Sequence, residues 1–143
     1  MELSQKDEQV IALLRENGRM PISEIARRLP SSRTAAQVRV QKLERNGVID
    51  GYSVKLSADF FSSRVRALVM IKFPPGRRAN IEKALTMMAH VTALHSISGV
   101  FDLVAVVSAR SMDDLDTVLD DIGCLEGVGE TMSSIILSTK VDR

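Results

Sequence analysis

The chain is 143 residues long, with 45% hydrophobic and 26% charged residues, enough apolar content for one ordinary domain or two small ones. It has no run of about 18 apolar residues and no basic segment followed by an apolar stretch at its start, so we expect a cytoplasmic protein without a membrane partner. A lone cysteine, Cys124, excludes an intrachain disulfide, and neither histidine has metal-ligand spacing. The sequence therefore predicts no metal and no cofactor.

Basic residues are concentrated in one part of the chain, although the net charge of the whole is only +1. Residues 19–45 contain seven lysines and arginines against two glutamates, a local net charge of +5. Such a cluster is typical of a nucleic-acid surface, and the alternative is a basic helix face exposed to solvent. One tyrosine and no tryptophan leave few rings for stacking on single strands, which favours a double-stranded partner.

Three short helices are predicted in the first part of the chain from the spacing of apolar side chains. They cover Ser4–Asn17, about eight residues from Ile22 onward, and a stretch from Ser31 and Ser32 to Asn46. Gly18 and Gly47 follow the first and third helices as C′ glycines, where a left-handed backbone is common. Pro21 falls near the first turn of the second helix, where its missing N–H costs little, and Pro30 ends that helix.

The third predicted helix has an apolar seam, Ala36, Val40 and Leu43, and the tight turn before it is typical of a helix-turn-helix. Its exposed face would enter the major groove of DNA, where arginine pairs with guanine and glutamine with adenine. Contacts to base edges are expected from Arg33, Thr34, Gln37, Val38 and Gln41. Phosphate contacts, which hold the register without reading sequence, are expected from Ser32, Arg39, Lys42 and Arg45.

Beyond the third helix the chain is predicted to be extended and then irregular up to residue 63. We expect an all-α, winged-helix-like DNA-binding domain at 1–50, an extended linker at 51–63 and a second domain at 64–143. Apolar runs in the second domain predict the order β-α-β-β-α-β. These elements are predicted at Val65–Phe73, Asn80–Met88, Val91–Ser98, Phe101–Ala109, Ser111–Ile122 and Thr131–Val141. The order is typical of a ferredoxin-like fold, so the whole chain is predicted to be an α+β protein.

Two of the predicted strands are apolar on both faces. The segments 67–71 and 103–107 consist entirely of apolar residues, whereas the two helices of this fold cover only one face of the sheet. A second copy of the same sheet is the simplest cover for the other face, so we expect a homodimer at least. The alternative is that the N-terminal helices shield this face.

The order of local motifs over nearly the whole chain resembles the Lrp/AsnC, or feast/famine, family of regulators. No single motif is specific, but their collinear order across both domains is. In the N-terminal half the motifs are Asp7, Leu13-Leu14, Glu24-Ile25-Ala26, Arg39-Val40, Leu43-Glu44, Gly47-Val48-Ile49 and Gly51-Tyr52. In the C-terminal half they are His95, Ser98-Gly99, Asp102, Gly127-Val128, Thr131 and Ser133-Ser134.

The resemblance implies a transcription regulator, not an enzyme, that binds DNA and a small metabolite, most simply an amino acid. Effectors of the family lie between neighbouring dimers, which implies assemblies up to an octamer. Asp102 offers a carboxylate to an ammonium group, while hydroxyls and backbone N–H groups suit a carboxylate. The expected effector-binding residues are Ser98, Gly99, Val100, Phe101, Asp102, Thr131, Ser133 and Ser134. In the alternative, Gly99 supplies only a turn and Asp102 bonds to local backbone.

The chain departs from the family pattern in both halves. Pro30-Ser31 replaces a glycine and an apolar residue in the turn, and Val38 stands where a basic residue is usual, so no operator preference is implied. Val100-Phe101 precedes Asp102 where the family often has an acidic residue and a tyrosine, so no effector identity is implied.

Two other functions stay open at this point. Siroheme decarboxylase subunits are similar to this family in architecture, and such a subunit would need His90 or His95 as a haem-type ligand. An architectural DNA-binding protein without an effector is the other alternative.

Overall fold

The structure, a computed structural model, describes residues 2–143. The chain divides into two compact units, the first ending at Lys55 and the second beginning at Leu56. Between residues 2 and 143 we find no helix with the length and apolar character needed to span a bilayer. Each unit has its own hydrophobic core.

The N-terminal unit consists of three helices, α1 (Gln5–Glu16), α2 (Ile22–Arg28) and α3 (Arg33–Arg45). Each helix contributes side chains to one core. Val10 of α1, Ile25 of α2 and Leu43 of α3 lie at its centre and are at most 1% exposed. The predicted helix-turn-helix is confirmed, since α2 ends one residue before Leu29-Pro30 and α3 starts directly after Ser32.

The helix ends agree with prediction except at Gly18. Ser32 caps α3 as expected, with its Oγ accepting from the N–H of Ala35 at 3.0 Å, and Gly47 takes the left-handed conformation with φ of +70°. Gly18 was expected to do the same and does not. Asn17 turns the chain instead, because its Oδ1 accepts the N–H of Arg19 at 3.0 Å.

The C-terminal unit contains the predicted β-α-β-β-α-β order. Its elements are a short helix α4 (Ala58–Ser62), then β1 (Val65–Lys72), α5 (Arg78–Met87), β2 (Val91–Ser96), β3 (Leu103–Ala109), α6 (Met112–Gly123) and β4 (Glu130–Ile135). All strand pairs are antiparallel and the sheet order is β2-β3-β1-β4, so the ferredoxin-like prediction is confirmed. Sequence analysis missed α4, whose N-cap is Ser57 with Oγ accepting from Phe60 at 3.2 Å.

Strands β2, β3 and β4 are shorter than predicted by two residues or more, and β1 ends one residue early at Lys72. β4 was expected to continue to Val141, but its last backbone bond to β1 runs from the Ile136 N–H to the carbonyl of Arg66 at 2.8 Å. Because β1 begins at Val65, nothing remains for a longer β4 to pair with. β2 and β3 are shortened at the turn that joins them, since residues 97–102 form a loop.

The sheet has one covered face and one uncovered face. On the covered face, Ala67, Val69 and Ile71 of β1 are at most 1% exposed and pack with side chains of α5 and α6. The outer face is defined here by five apolar side chains, Leu68, Met70, Val104, Val106 and Met132, which the strand register places on the opposite side. Leu68 is 38% exposed and Met132 51%, so this apolar surface is open in the single chain.

Candidate DNA-binding and effector-binding surfaces

The exposed face of α3 presents the side chains predicted to read DNA. Ala36, Val40 and Leu43 are buried in the N-terminal core, which turns the other side of the helix toward solvent. At about 100° per residue, the exposed side chains fall within half of the helix circumference. Those that suit DNA contacts are Arg33, Thr34, Gln37, Val38, Gln41, Lys42 and Arg45. Ala35 is exposed as well, and so is Glu44, which lies in the same half of the helix and bonds to Tyr52. This half is called the reading face below.

Arg39 lies outside the reading face and has a partner within the protein. Its Nη1 donates to Asp7 Oδ1 at 2.7 Å and to Ser4 Oγ at 3.2 Å, which joins α3 to the first turn of α1. The Arg39 side chain is 32% exposed, whereas that of Asp7 is 3% exposed. Arg39 therefore has a structural role, and a phosphate contact stays a prediction for the exposed part of its guanidinium.

Asp7 is the residue in this region whose role sequence analysis missed. Its Oδ2 accepts from the N–H of Ser4 at 2.9 Å, and Ser4 Oγ accepts from the N–H of Asp7 at 3.2 Å, which forms a capping box. The two bonds from Ser4 and then the Arg39 guanidinium lower the pKa of Asp7 from 3.8 to about 2. The Ser-x-x-Asp spacing predicts the cap, but the pairing with Arg39 has no sequence signature.

Both glutamates of the basic segment, residues 19–45, have partners within the protein. Glu24 pairs with Arg27 and Arg28 on the same helix, and hydrogen bonds from these arginines, Arg27 first, lower the pKa of Glu24. Glu44 accepts the hydroxyl proton of Tyr52 at 2.6 Å, and this bond raises the pKa of Tyr52 to about 12. Arg27 and Arg28 are therefore weaker candidates for DNA contacts than the cations of the reading face.

Three cations of α3 have no acidic partner in the described part of the chain. Arg33, Lys42 and Arg45 form no ion pair with any residue between 2 and 143. Unpaired exposed cations contact phosphate without first breaking an ion pair, and each contact releases counterions from DNA. The reading face thus combines groups that suit base edges with groups that suit phosphates.

The predicted effector loop connects β2 to β3. The N–H of Ile97 donates to the carbonyl of Asp102 at 3.0 Å, and Gly99 turns the chain with φ of +127°. Residues 98–100 are exposed. Phe101, in contrast, is only 9% exposed, so its ring is not accessible to a ligand in this chain conformation.

The carboxylate of Asp102 is partly engaged. Its Oδ2 accepts the N–H of Phe73 at 3.1 Å, while the N–H of Asp102 donates to the carbonyl of Ile71 at 2.9 Å. These bonds tie the effector loop to the end of β1. Within residues 2–143 no donor is bonded to Oδ1, so this oxygen is the one that faces a ligand amine in the effector hypothesis.

The three hydroxyls predicted on β4 do not converge. The register with β1 places Thr131 and Ser133 on the helix-covered face of the sheet, whereas Ser134 is paired with Leu68 on the outer face. Thr131 lies at the same end of the sheet as the effector loop. However, β1 stands between β4 and β3, so Thr131 and the effector loop are about 10 Å apart. A single chain therefore does not bring all the predicted effector residues around one small molecule.

The two histidines are placed in different parts of the sheet unit. His90 Nε2 is 3.3 Å from Asp114 Oδ2, and His95 lies exposed on β2. Over residues 2–143 there is no group of three or more His, Cys, Asp or Glu side chains arranged to hold a metal ion.

Both halves of the chain match known protein families. Residues 3–44 match the AsnC-type helix-turn-helix domain. Residues 66–143 match the Lrp/AsnC ligand binding domain, which alone covers more than half of the chain. The two matches fall on the two structural units.

Individual relatives match this chain over almost their whole length. The HTH-type transcriptional regulator LysM of Sulfurisphaera tokodaii is 29% identical over 137 residues, 95% of this chain and 96% of LysM. A feast or famine regulatory protein of M. tuberculosis, solved in complex with L-methionine, has a TM-score of 0.89 at 30% identity and covers 99% of this chain and 96% of its own. The structure of E. coli AsnC has a TM-score of 0.90 at 23% identity, with coverage of 100% and 97%. The protein therefore belongs to the Lrp/AsnC family of transcriptional regulators, as its sequence motifs predicted.

Proposed function

We propose that this regulator binds specific DNA sequences through the reading face of α3 and that a free amino acid changes this binding. The observation that carries the proposal is the reading face itself, which is exposed, rich in hydrogen-bonding side chains and carries three cations that form no ion pair within residues 2–143. In this proposal residues 1–50 bind DNA, residues 51–63 are the linker, and residues 64–143 bind the effector and assemble the oligomer.

Separate variants on the reading face test whether it reads sequence. Replacing Gln37 or Arg33 with alanine should weaken binding to the preferred operator by about 1–3 kcal/mol and binding to random duplex much less, because a base-edge contact is lost. Lys42→Ala is the matched control. It should weaken both duplexes equally and reduce the salt slope by about one unit, because a phosphate contact carries no sequence information. Fluorescence anisotropy over a salt series measures both quantities, and equal losses on both duplexes for Gln37→Ala and Arg33→Ala would contradict base reading.

An amino acid is the proposed effector because its two charged ends fit the groups near the effector loop. Asp102 Oδ1 suits an ammonium group, and the exposed backbone at residues 98–100 suits a carboxylate. The M. tuberculosis relative, solved with L-methionine, supports the same class of ligand. Which amino acid acts on this protein is a question for a thermal-shift screen of all twenty.

The dispersion of the effector residues supports a site completed by a second copy of the chain. The outer face of the sheet is a contiguous apolar surface, and a symmetric dimer covers it with the same face of a partner. Such a dimer presents two reading faces, which require an operator with two-fold symmetry and half-sites a whole number of helical turns apart. Further assembly of dimers, up to an octamer, would bring effector loops of neighbouring dimers together.

Asp102→Asn tests the effector site without removing its structural bond. Asparagine keeps an oxygen that accepts the N–H of Phe73, but it lacks the negative charge that attracts an ammonium group. We expect the variant to bind operator DNA like the wild type and to lose the response to the amino acid. Both are measured by anisotropy on one preparation. Loss of DNA binding would show a structural role for the Asp102 carboxylate, and an unchanged response would place the effector elsewhere.

A further inference from the structure

A polar cleft lies in the C-terminal unit, at the end of the sheet opposite the effector loop. The start of β1, the end of β3, the start of β2 and the start of α6 meet there. The cleft has a volume of about 640 Å³ and is lined mainly by Arg64, His90, Ser108, Arg110, Ser111 and Asp114. We call it the basic cleft. Neither the proposed DNA contacts nor the proposed effector contacts involve these residues.

Two arginines oppose each other in the basic cleft. Val65 pairs with Ala109 in the antiparallel register of β1 and β3, so the preceding Arg64 and the following Arg110 lie across from each other at the end of the ladder. Like charges directly opposite on neighbouring strands destabilise a sheet. Neither guanidinium forms an ion pair within residues 2–143, and that of Arg64 lies over the Phe60 ring, 5.4 Å from its centroid. Within residues 2–143 the two guanidinium groups therefore have no ion-pair partner, although the charge of Arg110 acts on the nearby Asp114 carboxylate.

The one carboxylate in the basic cleft is engaged with other groups. Asp114 Oδ2 accepts the backbone N–H of Arg110 at 3.1 Å and lies 3.3 Å from His90 Nε2. These contacts hold the imidazole and the β3–α6 connection in place. Asp114 therefore organises the wall of the cleft and forms no ion pair with either guanidinium group.

We propose that the basic cleft binds a phosphate group. Two guanidinium forks and the hydroxyls of Ser108 and Ser111 offer more donors than the two oxygens of one carboxylate accept, whereas a phosphate monoester presents three oxygens and a charge of about −1.5 to −2. Guanidinium forks match the geometry of phosphate oxygens in pairs. The cleft, of about 640 Å³, also has room for part of the molecule that carries the phosphate. A phosphorylated metabolite and the DNA backbone both supply this chemistry.

Isothermal titration calorimetry of the full-length protein with inorganic phosphate at low ionic strength tests the site directly. We expect saturable binding that weakens about tenfold or more in Arg110→Ala and in Arg64→Ala, because each removes a charge-assisted pair of hydrogen bonds. Lys83→Ala is the matched control, since Lys83 is an exposed cation on α5 outside the cleft, and it should bind phosphate like the wild type. Acetate should bind more weakly than phosphate.

The titrations decide whether the basic cleft binds phosphate, and a DNA-binding measurement then identifies the molecule that carries it. Absence of saturable phosphate binding, equal loss in Lys83→Ala and Arg110→Ala, or equal affinity for acetate would overturn the phosphate site. If phosphate binds as expected, the salt dependence of duplex DNA binding by Arg110→Ala decides the source. A slope lower by about one unit assigns the site to DNA phosphates, and an unchanged slope assigns it to a free phosphorylated molecule. Circular dichroism confirms that each variant is folded before titration.

Discussion

Asp7→Ala is expected to lower the free energy of unfolding of the N-terminal unit by about 2–3 kcal/mol at neutral pH. Two independent estimates agree on this size. Asp7 is the N3 partner of the N-cap Ser4, and loss of a capping interaction costs about 0.5–2 kcal/mol, to which the lost bond with Arg39 adds. The lowering of the Asp7 pKa from 3.8 to about 2 corresponds to about 2 kcal/mol of stabilisation of the ionised form in the folded state.

The same pKa predicts how this contribution depends on pH. Because the pKa of Asp7 is lower in the folded than in the unfolded chain, its stabilising effect is complete above pH 3.8 and disappears as the pH falls toward about 2. The difference in stability between wild type and Asp7→Ala should therefore shrink over this interval.

Native-state hydrogen exchange of the full-length protein measures the stability of α1 and α3 separately from the sheet unit. Glu8→Ala is the matched control, since Glu8 also lies in the first turn of α1 but is exposed. Loss of the Glu8 carboxylate should lower the free energy of unfolding by no more than about 1 kcal/mol, the size of a helix-dipole interaction. Equal effects of the two substitutions would show that the buried contact with Arg39 contributes nothing beyond charge in the first turn.

Leu68→Glu is expected to weaken self-association of the protein by about 100-fold or more, because it places an unpaired carboxylate in an apolar interface. Leu68 is central on the outer face, opposite Val106 on one neighbouring strand and Ser134 on the other. In a two-fold dimer the substitution occurs in both copies, which doubles the buried charge. Binding to a symmetric operator should fall as well, since one chain engages only one half-site.

Sedimentation velocity over a concentration series measures the association. The wild type should sediment as a dimer or larger assembly, and Leu68→Glu as a single chain at the same concentrations. Met87→Glu is the matched control, because Met87 is 80% exposed and lies at the end of α5, on the covered side of the sheet. A wild type that sediments as one chain, or a Met87→Glu variant that dissociates equally, would refute the outer face as the dimer interface.

Much of the fold follows from local sequence rules. The caps at Ser32 and Gly47 and the breaker Pro30 define helices whose ends depend only on nearby residues. Apolar periodicity predicts the buried seam of α3 and therefore its reading face, because a helix repeats every 3.6 residues whatever its surroundings. The alternation of strands and helices also predicts the ferredoxin-like order, since connection rules leave few other topologies.

Strand lengths and the convergence of the effector residues did not follow from the sequence. β4 has the composition of a strand beyond Ile135, but a strand needs a partner, and β1, which runs antiparallel to β4, begins only at Val65. Ser133 and Ser134 looked like one group in the sequence, yet neighbouring strand residues point to opposite faces, so only the register separates them.

The sequence alone predicted five of the six helices, the exposed face of α3 and the family to which the chain belongs, because these depend on local periodicity and on motif order. Only the tertiary structure decided which distant side chains meet. Arg39 stabilises a buried aspartate 32 positions earlier in the chain, and Arg64 opposes Arg110 across two strands. Composition counts all three arginines as equal positive charges. Their different roles depend on long-range packing and strand register, which join Arg39 to a buried carboxylate in an ion pair and place Arg64 and Arg110 opposite each other without one.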